Sequence, residues 1–256
     1  MQQLLQTEKI IVVKELVKKF GDFIANNHLS FDVYKGEIFG FLGANGAGKT
    51  TAMKILCGLS KPTSGEVTVA GYDVYKEPNK IKNRIGYMSQ KFSLYEDLTV
   101  RENIRFYGGI YGMRLKDIKI KSQQLIEKLG LEEAADKLIS DLPLGWRQKL
   151  AFLVALIHDP EIVFLDEPTS GVDPITRRQF WSLIYEAAHK GVTIFLTTHY
   201  MDESEYCDRV SIMVDGRIAA LDKPQQLKKI YEADSMNEVF IRLARNKEFK
   251  KEPNKS

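Results

Sequence analysis

The sequence has very few cysteines: Cys57 and Cys207 are the two among 256 residues. Two cysteines cannot form the disulfide framework of a small secreted protein, so we expect free thiols in a reducing compartment. The chain also lacks any apolar run near the roughly 20 residues that a membrane-spanning helix requires. Its longest apolar segments, IVFL and TIFL, have the length of strands. We therefore expect a soluble protein that reaches a membrane only through a partner.

A strong charge imbalance is absent as well, because the formal net charge is +3. That value is too small to favour nucleic acid or an anionic membrane as a general partner. The first residues, MQQLLQTEKIIVVKEL, lack a basic region followed by an apolar run of roughly 7 to 15 residues, so no signal peptide is expected. We find no internal repeat and no heptad array. Residues 241–256 are expected to form a charged C-terminal tail, of which the stretch ARNKEFKKEPNKS, residues 244–256, is expected to be frayed.

Short apolar runs alternate with helical patterns along the chain, which predicts a sheet with crossover helices. The predicted strands cover residues 10–13, 29–33, 38–42, 66–69, 84–88, 162–165, 193–196 and 209–214. Asp215 and Gly216 form a two-residue hairpin signal, so the sheet is expected to end in an antiparallel pair. A helical block at about residues 91–160 interrupts the strands. The expected fold class is α/β, with a mixed sheet, an antiparallel β portion and an inserted helical subdomain.

The run FGFLGANGAGKTT follows a predicted strand and opens a predicted helix. It matches the spacing G-x-x-x-x-G-K-[ST] of a phosphate-binding loop, in which glycines let backbone N–H groups surround phosphate oxygens. The lysine of such a loop reaches the β- and γ-phosphates, and the hydroxyl after it ligates Mg²⁺. A glycine-rich turn without a ligand is the structural alternative. The predicted nucleotide-binding residues here are Gly43, Ala44, Asn45, Gly46, Ala47, Gly48, Lys49, Thr50 and Thr51, of which Thr50 is also a predicted metal ligand.

A second site follows some distance along the chain, where EIVFLDEPTSGVD runs from a predicted strand into Asp166 and Glu167. In enzymes with a P-loop, an acid at this place holds Mg²⁺. The next residue can then polarise an attacking water as a general base. A structural role for both acids is unattractive, because buried carboxylates are costly without cations. The sequence therefore predicts Asp166 as a metal ligand and Glu167 as a catalytic base.

Two further polar residues also follow predicted strands. His199 comes at the end of TIFLTTHY, and Gln90 comes just after RIGYMS. The carboxyl ends of parallel strands are where ligand groups gather in open α/β sheets. Although a lone histidine or glutamine is usually structural, this shared placement predicts His199 and Gln90 as catalytic residues, with Gln90 also reaching Mg²⁺.

These motifs together resemble the ATP-binding cassette family, the P-loop NTPase domains that energise membrane transporters. The resemblance extends over about residues 8–222, within a predicted cassette domain of residues 8–240, and the motifs stand in the family order. GANGAGKT resembles the Walker A motif, IVFLDE the Walker B motif, and SGVD, which ends at Asp173, the D-loop. Gln90 resembles the Q-loop glutamine and His199 the switch histidine. Phe20 stands where the family stacks an aromatic ring on adenine, with a place in the core as the alternative and Phe23 nearby.

The resemblance implies ATP and Mg²⁺ as cofactors and two kinds of protein partner. One is a second nucleotide-binding domain, paired head to tail so that each ATP lies between one Walker A motif and the other domain's signature motif. The other is a transmembrane permease, which would hold the chain on the cytoplasmic face of the cell membrane. Asp173 and Gly145 are expected to approach the partner's nucleotide. No nucleic-acid partner is expected.

The signature motif of the family, LSGG followed by glutamine, aligns with LPLGWRQ, in which proline replaces serine and leucine replaces the first glycine. The lost hydroxyl would cap the signature helix and donate to the partner's phosphate. Proline is tolerated in a first helical turn, so the helix itself should survive. Gly145 can still offer an N–H group, while the side chain of Leu144 must turn away from the phosphate. We expect an atypical but working signature.

The aromatic residues that follow Gln90 are expected either to line a groove for a permease helix or to fill the core of the helical subdomain. They are Phe92, Tyr95, Phe106, Tyr107 and Tyr111. The acids after His199 are expected to complement a helix dipole. They are Asp202, Glu203 and Glu205.

The sequence favours an ATP-hydrolysing subunit that energises a separate permease of the ABC-2 type. The phrases DEPTSGVDP, MDESE and NEVFIRL resemble exporters of drug- or lipid-like molecules. A non-hydrolysing or regulatory module with a degenerate signature is the alternative, and homodimer and heterodimer both stay open. A cassette protein that acts on ribosomes or DNA is disfavoured, because the chain has one cassette and no coiled coil. A small-molecule kinase is disfavoured because nothing resembles an acceptor site.

Overall fold

Two β-sheets organise the chain in the computed structural model, which describes residues 8–90 and 94–248. The strands are β1 (Lys9–Phe20), β2 (Phe23–Tyr34), β3 (Ile38–Gly43), β4 (Ser64–Val69), β5 (Tyr72–Asp73), β6 (Ile85–Met88), β7 (Ile162–Asp166), β8 (Thr193–Thr198), β9 (Arg209–Val214) and β10 (Arg217–Asp222). The helices are α1 (Lys49–Leu56), α2 (Pro78–Lys82), α3 (Val100–Ile110), α4 (Leu115–Leu129), α5 (Leu144–Ala155), α6 (Pro174–His189), α7 (Pro224–Ile230) and α8 (Met236–Glu248). Short 3₁₀ helices cover Glu132–Ala134, Ile139–Asp141 and Met201–Tyr206.

The larger sheet has six strands in the order β10-β9-β3-β8-β7-β6. Its strands are parallel except for β10, which pairs antiparallel with β9. The turn between them is left-handed at both positions, with φ of 51° at Asp215 and 72° at Gly216. This geometry suits a two-residue hairpin, so the predicted antiparallel end of the sheet is confirmed. The parallel strands all deliver their carboxyl ends to one edge of the sheet.

The smaller sheet is antiparallel, with the order β2-β1-β4-β5. Its first two strands are far longer than the segments 10–13 and 29–33 that the apolar runs predicted. The extension was missed because charged side chains such as Lys14 and Lys18 interrupt the hydrophobic pattern. These side chains lie on the solvent side, as one face of an antiparallel sheet often does.

The space between the two sheets is filled by aromatic rings. Phe31 of β2 stacks on Phe39 of β3 with ring centroids 5.7 Å apart, and Phe195 of β8 lies 5.3 Å from Phe41. These rings and helix α1 form one continuous apolar core. The core holds the ends of β3 and β8 rigidly beside the helix that follows the phosphate-binding loop.

A helical subdomain lies between β6 and β7, as the sequence predicted. Thr99 is the N-cap of helix α3: its hydroxyl accepts the Glu102 N–H while the Glu102 carboxylate accepts the Thr99 N–H, a capping box. Helix α5 supplies the apolar residues that join this subdomain to the large sheet, including Leu150 and Phe152. Both cysteines are free and buried, which agrees with the prediction of free thiols.

The predicted start of the C-terminal tail, at residue 241, lies too early in the chain. Residues 241–248 belong to helix α8, and Leu243 is buried against the large core together with Val239. The spacing of Met236, Val239 and Leu243 is that of one apolar helix face. The prediction missed it because many charged residues surround these three in the sequence. Residues 249–256 lie outside the described residues. Within residues 8–90 and 94–248, no helix has the length and apolarity to cross a membrane.

Candidate active site

The phosphate-binding loop connects β3 to α1 and is shaped by its glycines. Gly48 has φ of 99°, and a Cβ atom there would lie 2.3 Å from the Ala25 carbonyl oxygen of β2. Gly46 has φ of 82° with no heavy atom within 4 Å of the position of a Cβ atom. Residues 44–46 are exposed, while Gly43 and Ala47 are buried. The loop therefore has a fixed base and an open rim, as a cradle for phosphate oxygens requires.

Lys49, the first residue of α1, turns its side chain back into this loop. Its Nζ donates to the carbonyl oxygens of Gly43 at 2.8 Å and Ala44 at 3.1 Å, and it lies 3.6 Å from Glu167 Oε1. Burial lowers the pKa of Lys49, while the neighbouring carboxylates of Glu167 and Asp166 raise it. A buried ammonium that is held by carbonyl oxygens is ready to exchange one of these partners for a phosphate oxygen.

Asp166 ends β7, and hydroxyl groups surround its carboxylate. Thr197 Oγ1 donates to Asp166 Oδ1 at 2.6 Å, and Thr50 Oγ1 donates to the same oxygen at 3.2 Å. These oxygen donors belong to the class that Mg²⁺ prefers. Thr50 and Asp166 therefore fit the predicted metal role. Among the described residues no cluster of three acidic, histidine or cysteine side chains could hold a metal alone.

Glu167 is the point on which three predicted residues converge. Its side chain is 7% exposed, and its carboxylate accepts a 2.8 Å hydrogen bond from Gln90 Nε2. His199 Nδ1 lies 3.0 Å from the same carboxylate oxygen, in an orientation that falls short of a hydrogen bond. Glu167 also has φ of 49°, a backbone conformation that is uncommon outside glycine and concentrates at functional sites.

Gln90 was predicted both as a catalytic residue and as a metal ligand, and its side chain contacts the predicted base. Its amide nitrogen is bonded to Glu167, and no hydrogen bond among the described residues joins Gln90 to Thr50 or Asp166. Gln90 is thus beside the predicted base, and its predicted role as a metal ligand stays a prediction.

Thr197 was missed by the sequence reasoning, although it donates to Asp166 and also accepts the Glu167 N–H at 3.1 Å. The parallel register pairs Thr197 directly with Asp166. The sequence signal that could have found it is the pair Thr197-Thr198 directly before His199. Since the ends of neighbouring parallel strands lie side by side, a threonine there is expected to lie near Asp166.

The predicted adenine contact lies at the tip of the β1–β2 hairpin, where Phe20 pairs with Phe23. Both rings are exposed, so neither belongs to the core. Lys18 Nζ lies 4.9 Å from the centre of the Phe20 ring. Strand β2 then passes against the phosphate-binding loop at Asn26, whose side chain donates to the Gly48 carbonyl oxygen at 3.0 Å. Strand β2 therefore connects the hairpin tip, at Phe23, to the phosphate-binding loop, at Asn26, over three residues.

No hydrogen bond within the described residues joins Gly145 or Asp173 to the phosphate-binding loop. Gly145 sits in the first turn of α5, where a Cβ atom would come 2.4 Å from Thr176 Cγ2. Asp173 is the N-cap of α6 and accepts from the N–H groups of Ile175 and Thr176. Hydrogen bonds from Thr176 lower the pKa of Asp173. In this chain both residues have local structural tasks.

Pro143 is the N-cap of α5 and offers no side-chain hydrogen bond to the helix. Helix α5 forms nonetheless, as expected for proline at this position. Leu144 is half-buried and lines a cavity of about 330 Å³ together with Gln90 and Glu167. Its side chain thus lies on the inner side of the helix, toward its own chain.

Residues 26–170 match the family model described as ABC transporter. The chain belongs to the ABC transporter family. The predicted family, the fold class and the class of ABC-type ATPase are therefore confirmed at the level of the family.

Curated relatives give the same result over most of the chain. The protein named Probable multidrug ABC transporter ATP-binding protein YbhF of Escherichia coli (strain K12) is 48% identical over 92% of this chain. The match covers 42% of that relative, so the chain spans about two fifths of its length. Nod factor export ATP-binding protein I of Burkholderia lata is 38% identical, over 84% of this chain and 71% of its own. These names fit the ABC-2 exporter-like assignment.

Solved structures of cassettes share the fold. The structure of an ATP-binding subunit of an ABC transporter superposes with a TM-score of 0.82 at 26% identity, over 91% of this chain and 99% of that one. A dimeric cassette in a post-hydrolysis state, bound to ADP and Pi, has a TM-score of 0.75 at 26% identity, over 83% and 98% of the two chains.

Proposed function

We propose that this chain hydrolyses ATP and thereby drives a separate ABC-2-type permease that exports drug- or lipid-like molecules. The observation that carries the hydrolytic part is the convergence of Lys49, Gln90 and His199 on the Glu167 carboxylate. A base that is buried, restrained by two neighbours and adjacent to a phosphate-binding loop is what in-line attack by water on a γ-phosphate needs.

The chain's own residues divide the reaction among them. Backbone N–H groups of residues 43–48 and the Lys49 ammonium bind the phosphates, and the N-terminus of α1 adds its partial positive charge. Thr50 and Asp166 would hold Mg²⁺, which supplies charge neutralisation on the β- and γ-phosphates when bound. Glu167 accepts the proton of the attacking water, while Gln90 and His199 hold that carboxylate and the water in line. Phe20 stacks on adenine.

A second cassette completes each site in this proposal. The N-terminus of α5, with the N–H group of Gly145, and Asp173 of the D-loop face the nucleotide of the partner. Support comes from the dimeric neighbour and from the first N–H groups of α5, which have no intrahelical acceptor. In a homodimer both sites repeat the LPLGW signature. In a heterodimer this chain's Glu167 works beside a partner's signature instead. Both arrangements stay open.

The permease is proposed to dock on the helical subdomain. Tyr95 and Phe106 are exposed and contact each other with ring centroids 4.8 Å apart. Beside them is an apolar depression of about 610 Å³ whose lining includes Ile110 and Leu115. Tyr111 is different, because it stacks on His158 inside the subdomain. Phe92 lies outside the described residues. Docking there would hold the chain on the cytoplasmic face of the membrane.

The proposal on the cargo rests on relatives. Their names include multidrug transport, Nod factor export, linearmycin resistance and phospholipid transport. On these names we propose drug- or lipid-like molecules as the class of cargo, and no nucleic-acid partner.

A non-hydrolysing regulatory module is the second candidate, favoured by one observation: Pro143 gives α5 no side-chain cap where the signature serine would stand. The test is phosphate release from Mg-ATP by the purified chain, by Glu167→Gln and by Pro143→Ser/Leu144→Gly. Turnover by wild type that falls by roughly 10²–10⁴-fold in Glu167→Gln supports hydrolysis with Glu167 as the base. Turnover by the restored signature alone indicates that the chain borrows a signature from a different partner. No turnover by any of the three favours the regulatory module.

A further inference from the structure

Glu203 is a fully buried acid that the proposed mechanism does not use. It lies in the 3₁₀ helix Met201–Tyr206 and has no exposed surface. Thr169 Oγ1 donates to its Oε1, and Thr198 Oγ1 donates to its Oε2 at 2.6 Å. This acid does lie in the first turn of a helix, as the helix-dipole expectation requires, but its carboxylate has a further task. Its carboxylate is bonded to two different segments of the chain.

The two threonines stand next to the predicted catalytic residues. Thr169 follows Glu167 by two residues, and Thr198 directly precedes His199. One carboxylate thus fastens the segment that carries the general base to the segment that carries the switch histidine. The distance across this junction is the 3.0 Å between His199 Nδ1 and Glu167 Oε2.

A third segment joins the same carboxylate. Arg177 Nε lies 3.7 Å from Glu203 Oε1, and Arg177 is in the first turn of α6, directly after the D-loop. The Arg177 guanidinium also lies 4.5 Å from the centre of the Tyr200 ring. The positive charge offsets the cost of burying the carboxylate. It also ties the D-loop side of the site to the residue that follows His199.

The 3₁₀ helix is supported from behind. Met201 packs in the same core as Met236 and Val239 of α8. Cys207 Sγ donates to the Glu203 carbonyl oxygen at 3.7 Å, and Ser204 Oγ donates to the Met201 carbonyl oxygen at 2.5 Å. The backbone that carries Glu203 is therefore held by contacts other than those with Thr169 and Thr198.

The chemistry of a carboxylate suits this place. An ionised carboxylate only accepts hydrogen bonds, so both of its oxygens can take a threonine hydroxyl at once. An amide of the same shape offers one oxygen and one NH₂ group, and the NH₂ group cannot accept. Glutamine at this position must therefore give up or reverse one of the two bonds, and it removes one of the two carboxylates near Arg177, the other being that of Asp202 at 3.5 Å.

We propose that Glu203 is a positioning residue for ATP hydrolysis: by holding Thr169 and Thr198 it sets the separation of Glu167 and His199. This inference rests on the proposed function. It predicts that loss of the carboxylate leaves nucleotide binding intact and slows the chemical step. A merely structural buried acid would instead affect stability without a selective effect on turnover.

The test compares Glu203→Gln with Glu37→Gln. Glu37 is a matched control because it is buried, accepts a backbone N–H from Tyr34 and pairs with Arg209, at the opposite end of the sheet. We expect Glu203→Gln to lower kcat about tenfold or more while the Kd for ATP stays within about twofold. Glu37→Gln should leave both unchanged. Thr169→Val, which removes one of the two donated bonds, should lower kcat in the same sense and serves if Glu203→Gln does not fold.

Two further readouts separate positioning from stability. In a His199→Ala background, Glu203→Gln should lower kcat by less than about twofold. The reason is that Glu203 acts by positioning His199 against Glu167, and the imidazole is already absent in that background. Hydrogen–deuterium exchange of peptides covering residues 167–173 and 197–203 should rise in Glu203→Gln but not in Glu37→Gln.

Unchanged kcat and exchange in Glu203→Gln, or losses that multiply fully with His199→Ala, would overturn the proposal. Absence of turnover in the wild type would count against the proposed function instead. The exchange comparison then decides alone whether Glu203 holds the two segments.

Discussion

The Lys49 ammonium lies 3.6 Å from the Glu167 carboxylate, and both side chains are almost completely buried. A phosphate group that binds in the loop competes with Glu167 for the Lys49 ammonium, and it is repelled by the negative charge of the Glu167 carboxylate. Charges at such distances interact by about 4 kcal/mol at an effective dielectric constant of 20. The residue that serves as base therefore also opposes substrate binding before the reaction.

This relationship predicts a gain of affinity in Glu167→Gln. The neutral amide no longer competes for Lys49 and no longer repels the γ-phosphate, so we expect the Kd for Mg-ATP to fall about tenfold, or roughly 1.4 kcal/mol. Equilibrium binding of a fluorescent ATP analogue measures it. The Kd for ADP, which lacks the γ-phosphate, should change less. Equal or weaker binding of ATP by the variant contradicts the competition.

Lys49→Ala should have the opposite effect. It removes the ammonium that reaches the phosphates and leaves Glu167 buried without its cation, so we expect the Kd for ATP to rise by about two decades, from the loss of charge-assisted hydrogen bonds worth about 1.5–3 kcal/mol each. Lys54→Ala in the last turn of the same helix is the control. Full binding by Lys49→Ala is incompatible with the phosphate site.

Much of this site could be anticipated because parallel strands end at one edge. Contiguous apolar runs marked β3, β7 and β8. Glu167 and His199 directly follow β7 and β8, and Lys49 ends the loop that follows β3. The Glu203 junction could not be anticipated. Its partners are 5, 26 and 34 residues away, and their meeting depends on how α6 and the 3₁₀ helix pack on the sheet.

The exposed pair at the hairpin tip allows a test of adenine stacking. Phe20→Ala should weaken ATP binding by roughly tenfold, because stacking of a base on an aromatic ring contributes about 1–3 kcal/mol. Phe23→Ala is the control, since the Phe23 ring is also exposed and lies opposite Phe20 on β2. Inorganic tripolyphosphate has no base, so its affinity should be the same in both variants. A loss confined to Phe23→Ala would reassign the adenine contact.

The atypical signature predicts a measurable weakness of the ATP-bound dimer. In a Glu167→Gln background, which accumulates ATP, Pro143→Ser/Leu144→Gly should strengthen ATP-dependent self-association by one to two decades. The expected gain is that of one hydrogen bond to a charged phosphate, about 1.5–3 kcal/mol. Analytical ultracentrifugation with ATP and with ADP measures the difference. Unchanged self-association in ATP would mean that Pro143 and Leu144 do not weaken the ATP-bound dimer.

Gly145 has a second task besides any contact with nucleotide, and it is testable by stability alone. A Cβ atom there would lie 2.4 Å from Thr176 Cγ2 and 3.1 Å from Thr176 Oγ1, so Gly145→Ala requires the Thr176 side chain or the two helices to shift. Overpacking of this kind costs about 1–3 kcal/mol, which corresponds to a fall in Tm of about 5 °C for a chain of this size. Thr176→Ser removes the closest atom, so Gly145→Ala/Thr176→Ser should recover most of the loss, with Thr176→Ser alone as control. Thermal unfolding without nucleotide measures all four proteins, and a Gly145→Ala variant as stable as wild type would show that the contact between the two helices does not require glycine.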